Sequence, residues 1–462
     1  MRALLVSYAF PPVGGAGVQR MLKLAKYLPE HGVTPTVLTV KNPSVPLLDP
    51  SLLSELPAGL EVERARTLEP AYAAKALAWK AQAAIEPSLS SRSTTRAARA
   101  VKSLLVPDPQ VLWLPGAGLA VAAHLLPRRS LDVVLVSGPP FSSHLLGLLA
   151  RLRPGVGVVL DYRDEWTTTR RVYEMAGSAA FDAVLERACL HAAHRVTTAT
   201  EAFRRELLER FGFLAPENVV TIENGYDPAD LELEPPARGS ERLVLTYTGT
   251  VFRLTSAEGF IEGVRRLHQT EPELARLFDI RFVGRIVDTE QRHFEGSEAL
   301  GIQRLGYVPH ARAVEELARC HVALCLLDAC EGAERIYPAK IFEILGLRRP
   351  CLALCPEGAL AELVRSQQLG EVVPPRDAER IASALAGLAR RFRAGELPSE
   401  SEPLEPERFD RRRQAGRFAR VLESAAVAGR SSRHAAVADS RGLGQSWHNQ
   451  IAIGRSGQDP RE

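Results

Sequence analysis

The chain has 462 residues, of which 45% are hydrophobic and 24% charged, with a net charge of +3. That length is more than one hydrophobic core ordinarily fills and predicts two domains, while so small a net charge gives no general case for nucleic-acid binding. No run of about 18 apolar residues occurs, and the opening MRALLVSYAF leads into a Gly-rich loop rather than a small-residue cleavage site, so a cytoplasmic protein is expected.

Along the chain, apolar strand-like runs alternate with amphipathic helical stretches, the pattern of a parallel sheet covered by helices. Ala3 to Ser7 reads as a buried strand, Tyr8 to Gly17 as a loop, Val18 to His31 as a helix and Thr34 to Val40 as a second strand. Between Ala71 and Arg129 the pattern loosens. Lys75, Lys80, Arg92, Arg96, Arg99 and Lys102 oppose the single acid Glu86, which fits either a solvated basic helix or one that meets an anionic membrane surface. Strands are predicted at Val133 to Ser137, Val156 to Asp161, Arg195 to Thr198 and Val219 to Ile222, with helices at Phe181 to Ala193 and Ala202 to Phe211.

LELEPPARGSE then reads as a linker. A second alternation follows, with strands at Leu243 to Tyr247, Ile280 to Val283, Val322 to Leu326 and Leu352 to Leu354. Its helices fall near Ser256 to His268, Ala311 to Arg319, Pro338 to Leu347 and Asp377 to Phe392. The expected organisation is two doubly wound α/β domains, 1–228 and 242–405, joined by a 229–241 linker, then a helix at 406–428 and a disordered tail at 429–462. The carboxyl ends of both strand sets would line one crevice, where ligands of such sheets bind. Cys325, Cys330, Cys351 and Cys355 lack the spacing of common zinc sites and sit in strand-like runs, so buried free thiols are expected.

Two motifs carry chemistry. In PPVGGAGVQR, from Pro11 to Arg20, glycines between a strand and a helix start let backbone N–H groups approach an anion. The spacing of Gly14, Gly15 and Gly17 differs from the Gly-x-Gly-x-x-Gly dinucleotide fingerprint, which disfavours a nicotinamide enzyme. In IYPAKIFEIL, from Ile336 to Leu345, Lys340 and Glu343 share a helix face opposite Ile341, Phe342 and Leu345. A lysine there reaches a diphosphate and a glutamate holds ribose hydroxyls; the alternative is an ordinary surface pair. In the first half, DYRDEW at 161–166 begins where a strand ends. Arg163 with Asp161 or Asp164 is either a structural ion pair or a device that orients an acceptor hydroxyl, and His144 reads as a cap or core histidine.

FPPVGGAGVQR, DYRDEW, VVTIENGYD at 219–227 and YPAKIFEILGLRRPCLA at 337–353 together resemble a family 4 glycosyltransferase of the GT-B fold, in order and spacing over nearly all of residues 1–427. The resemblance implies transfer with retention from a nucleotide-diphosphate sugar to a glycan, lipid-linked or small-molecule acceptor, with no cofactor and no obligatory metal. It implies that Gly14 and Gly15 face the donor phosphates or sugar, Lys340 the diphosphate and Glu343 the ribose, and that Arg253 and Arg285 bear on the donor phosphates. Two departures stand out. Where many relatives keep a first glutamate, this chain has Arg335, and a lysine some relatives carry after the Arg253 position is absent from Leu254 to Ala257. Two other readings remain: a sugar-nucleotide epimerase of similar shape, and a catalytically weak nucleotide-sugar-binding protein.

Overall fold

A computed structural model describes residues 1–75, 77, 105–126, 130–167, 179–232 and 241–453. The two predicted sheets are present, each entirely parallel among the described strands. The first contains β1 (Arg2–Val6), β2 (Thr34–Val40), β3 (Glu61–Ala65), β4 (Val133–Gly138), β5 (Gly157–Tyr162), β6 (Arg195–Thr198) and β7 (Val219–Thr221), in the order β3-β2-β1-β4-β5-β6-β7. The second contains β8 (Leu243–Thr248), β9 (Phe278–Val283), β10 (Ile302–Gly306), β11 (Val322–Leu326), β12 (Cys351–Leu354) and β13 (Gly370–Val373), ordered β10-β9-β8-β11-β12-β13.

Central strands are buried on both faces, which is why they read as continuous apolar runs such as ALLV and VALCL. Each sheet divides its surroundings into two cores, one on either face. Chain order reverses direction across the sheet between β1 and β4, and again between β8 and β11, and the crevice outside those strand ends is where a doubly wound fold accepts a ligand.

The C-terminal part differs from the sequence expectation. A 3₁₀ turn at Pro406–Phe409 leads into a helix, Arg411–Ile453, that runs through positions predicted as a disordered tail. Composition concealed a packing face. Ala415, Phe418, Leu422, Ala425 and Ala426 enter a core of the first domain, and Gly429 approaches the backbone of Val156 and Gly157 so closely that a Cβ would stand 2.6 Å away. The chain therefore crosses between domains twice, and the crossings are joined: Tyr226 N–H donates to the Phe409 carbonyl and Arg411 N–H to the Tyr226 carbonyl, both at 2.9 Å. Gly225 is obligatory beside this seam, since a Cβ would lie 2.0 Å from the Phe409 oxygen.

Candidate functional site

The first helix, Ala16–Tyr27, opens directly after the Gly-rich loop. Gly15 has φ +95°, a left-handed conformation with open space around it, so backbone shape rather than crowding demands glycine there. Gly14 differs: its N–H donates to the Leu47 carbonyl at 3.1 Å, and a Cβ would meet Leu47 Cγ at 3.0 Å. Gly15 and Gly17 line the cleft, whereas Gly14 braces the loop and is absent from the cavity wall.

The motif after β5 supports the loop. Asp161 is fully buried, pairs with Arg20 at 2.8 Å and accepts from the hydroxyls of Ser137 and Thr197 at 2.8 and 2.7 Å. Burial opposes its ionisation, but Arg20 and these donors hold the carboxyl below its ordinary range. The structural ion pair of this region is thus Arg20–Asp161. Arg163 instead donates to the carbonyls of Gly17, Gly138 and Pro139, tying the Gly-rich loop to the end of β4. Asp164 faces the cleft. The enclosing walls raise its carboxyl, Arg163 works against that rise, and Glu165 and Asp161 add to it.

From the second domain, Lys340 and Arg285 line the same cavity as Gly15 and Asp164, a space of about 390 Å³. Lys340 lies 3.2 Å from Glu343, which sits off the cavity wall. Burial would raise the Glu343 carboxyl, yet Lys340, His310 and Arg411 hold it below the usual range. His310 Nε2 lies 3.4 Å from Asp230, which accepts from Lys23 at 2.6 Å. Lys23 also meets Asp227 at 2.8 Å, so the first helix and the Lys340–Gly346 helix are linked through a chain of polar contacts. Two glycines shape the wall: Gly284 has φ +140°, and its Cβ would stand 2.0 Å from the Gly249 oxygen.

Arg253 is not brought to the cavity. A 3₁₀ turn, Arg253–Thr255, begins after extended Phe252 and is fixed by the Thr255 hydroxyl donating to the Thr250 carbonyl at 2.7 Å. Phe252, Leu254 and Thr255 line the cleft, and the Arg253 side chain is exposed away from it.

A second cavity of about 640 Å³ adjoins the first and shares the boundary residues Arg163, Asp164, Asn224, Phe252, Leu254, Ile336 and Tyr337. Arg335, the departure noted in the sequence, stands on its wall and reaches across the domains. Its guanidinium donates to Glu165 at 2.6 and 3.0 Å and to Glu334 at 2.5 Å, and its carbonyl accepts from the Thr200 hydroxyl at 2.8 Å. Sequence reasoning missed this cross-domain partner, which lies 170 positions away. It also missed His310; the only signal was its position past the end of β10, where ligand loops of such sheets fall.

Other singled-out groups fall elsewhere. His144 is a core histidine: burial drives its pKa down to about 4, and Nε2 lies 3.4 Å from the Asp161 carbonyl. Lys75 pairs with Glu69 at 2.5 Å, and the cations from Lys80 to Lys102 lie outside the described residues. Cys325, Cys351 and Cys355 are buried free thiols, raised by burial, that of Cys355 to about 12. Among the described residues no cluster of metal-binding side chains occurs, and no helix is long and apolar enough to cross a membrane.

Residues 14–225 match the family described as "Glycosyl transferase 4-like domain". No curated protein matches in sequence. Among solved structures, HepE from Anabaena in complex with UDP and glucose is 15% identical, covering 92% of this chain and 100% of its own, with TM-score 0.60. WaaG, a glycosyltransferase involved in lipopolysaccharide biosynthesis, is 14% identical, with 92% and 98% coverage and TM-score 0.53. A putative UDP-N-acetylglucosamine 2-epimerase from Listeria monocytogenes is 12% identical, with 90% and 94% coverage and TM-score 0.51. At these identities the structural likeness is one of fold: two Rossmann-like domains in the GT-B arrangement.

Proposed function

We propose that this chain, which matches a glycosyl transferase 4-like domain at residues 14–225 on a GT-B scaffold, is a glycosyltransferase that moves a sugar, with retention, from a nucleoside-diphosphate sugar in the smaller cavity to an acceptor in the adjoining one. The observation that carries this reading is convergence: Lys340 and Arg285 from one domain, and Gly15 with the helix start from the other, line a single space. That set suits a diphosphate, and HepE, solved with UDP and with UDP-glucose, supports a donor of this class.

In the reaction the bond between the anomeric carbon and the diphosphate oxygen breaks, its electron pair leaves with the diphosphate, the acceptor oxygen bonds to the anomeric carbon, and the acceptor's hydroxyl proton passes to the departing diphosphate oxygen. Negative charge grows on the leaving group. Arg285 lines the cavity where it meets that charge, and Lys340 meets it after turning from Glu343, so the reading calls for no obligatory metal and no cofactor. Glu343 holds the ribose once Lys340 turns from it to the diphosphate. Asp164, at the boundary of the two cavities, accepts the hydrogen bond of the attacking hydroxyl. The same proposal puts the enzyme in the cytoplasm at the inner face of the membrane, on the strength of the six cations from Lys75 to Lys102. Salt-insensitive or absent binding to anionic vesicles would remove that part.

The test is a nucleotide-sugar assay with and without acceptor. Acceptor-dependent release of nucleoside diphosphate is expected. Epimer formation without acceptor would instead indicate the epimerase reading, and binding without turnover a carrier of the nucleotide sugar.

A further inference from the structure

The larger cavity has a chemistry of its own. Phe141 and Trp166 stack with centroids 5.3 Å apart and planes 6° from parallel, and Phe203, Val45, Leu254 and Ile336 extend the apolar wall. Its polar side chains are mostly engaged already. The Tyr8 hydroxyl donates to Glu69 at 2.6 Å, Gln110 donates to the same carboxylate at 3.4 Å, the Thr200 hydroxyl serves the Arg335 carbonyl, and Arg335 is paired with Glu165. Asp108 accepts from the backbone and hydroxyl of Ser142 at 3.0 and 2.6 Å. Asp164, Asn224 and Tyr337 belong to the boundary with the donor cavity. Beyond that boundary one polar atom stands out: Nε1 of the fully buried Trp166 has no hydrogen-bond partner among the described residues.

A bare oligosaccharide would bury many hydroxyls here with few groups to receive them, at about 1–3 kcal/mol for each left unsatisfied. An anion would face the carboxylates of Asp164, Glu165 and Asp108, with Arg163 engaged by three backbone carbonyls and Arg335 by Glu165. The volume is that of a small-molecule site, and its polar side chains are for the most part already paired with other protein groups.

We propose that this cavity selects an uncharged acceptor with a planar or alicyclic apolar body, seated against Phe141 and Trp166, that carries its nucleophilic hydroxyl to Asp164 and an oxygen that accepts from Trp166 Nε1. The proposal rests on the assignment of the two cavities to acceptor and donor, and its test separates the two. Calorimetric titration of the full chain with 4-methylumbelliferone, 2-naphthol and maltose reads the larger cavity; titration with UDP reads the smaller.

The two phenols are expected to bind saturably and maltose not to. Phe141→Ala weakens the phenols roughly tenfold. Trp166→Phe, which keeps an aromatic ring but removes the five-membered ring with its N–H, weakens the carbonyl-bearing 4-methylumbelliferone by a larger factor than 2-naphthol. UDP affinity stays at the wild-type value in both variants, with melting curves confirming the fold. Maltose binding with neither phenol bound overturns the proposal, as does an absence of binding by all three or wild-type phenol affinity in Phe141→Ala. Phenol binding together with a failure of UDP to bind would sustain this proposal and sink the donor assignment instead.

Discussion

At the scale of single residues, the site divides into groups whose loss should differ in kind. On the proposed reaction, Lys340→Ala removes the cation assigned to the charge grown on the leaving diphosphate, so turnover should fall about a hundredfold or more, with donor affinity changing much less. On the same proposal, Glu343→Gln removes the charged acceptor assigned to the ribose before and during reaction, so the donor dissociation constant should rise by roughly tenfold. Wild-type kinetics in both variants would reduce the pair to a structural contact. A buried carboxyl offers a pH test. Burial raises Glu186 from 4.5 to about 7, against the opposing effect of hydrogen bonds from Thr167. Since the folded state favours the protonated form, its contribution to stability is complete below about pH 4.5 and lost as pH rises through about 7. Glu186→Gln should thus raise the melting temperature at pH 8 by a few °C and change it little at pH 5; an equal shift at both would refute this. Arg285 and Asp164 were legible as cleft positions because each follows a strand end within a motif, and Lys340 because Pro338 marks a helix start. Glu343 was legible as Lys340's neighbour, though not its retreat from the cavity wall. Arg253 misled because position along a motif does not fix which way a short turn aims its side chains.

At the scale of elements, sequence reasoning found every strand inside the two sheets and one edge strand, β7. Continuous apolar runs announce β1, β4, β8 and β11, which lie within their sheets. The three missed strands, Glu61–Ala65, Ile302–Gly306 and Gly370–Val373, are sheet edges whose exposed positions carry polar residues, so neither a run nor a clean alternation survives. The terminal helix was misjudged past Val427 for a related reason: small residues such as Gly429 make its contact by close backbone approach rather than by apolar bulk. Leu422 is fully buried there, and Leu422→Ala should cost about 2–5 kcal/mol in denaturant unfolding. A loss below about 0.5 kcal/mol would mean the helix is dispensable to the first domain's core.

At the scale of the whole molecule, Arg335 and Glu165 form an ion pair across the domains beside the boundary of the two cavities. Arg335→Glu or Glu165→Arg alone should lower kcat/KM roughly tenfold, and the double exchange should recover most of it; an additive loss would deny the coupling. The joined crossings at Tyr226 and Phe409–Arg411 bear on how those domains move. Two strands of one chain, stitched side by side, act as the spine of a book. Its covers turn about the binding but do not slide along it, because sliding would tear the stitches. Whatever enters between the covers is then met from both sides along a single arc. Distances between labels on the two domains, followed as UDP is added, should trace that arc alone.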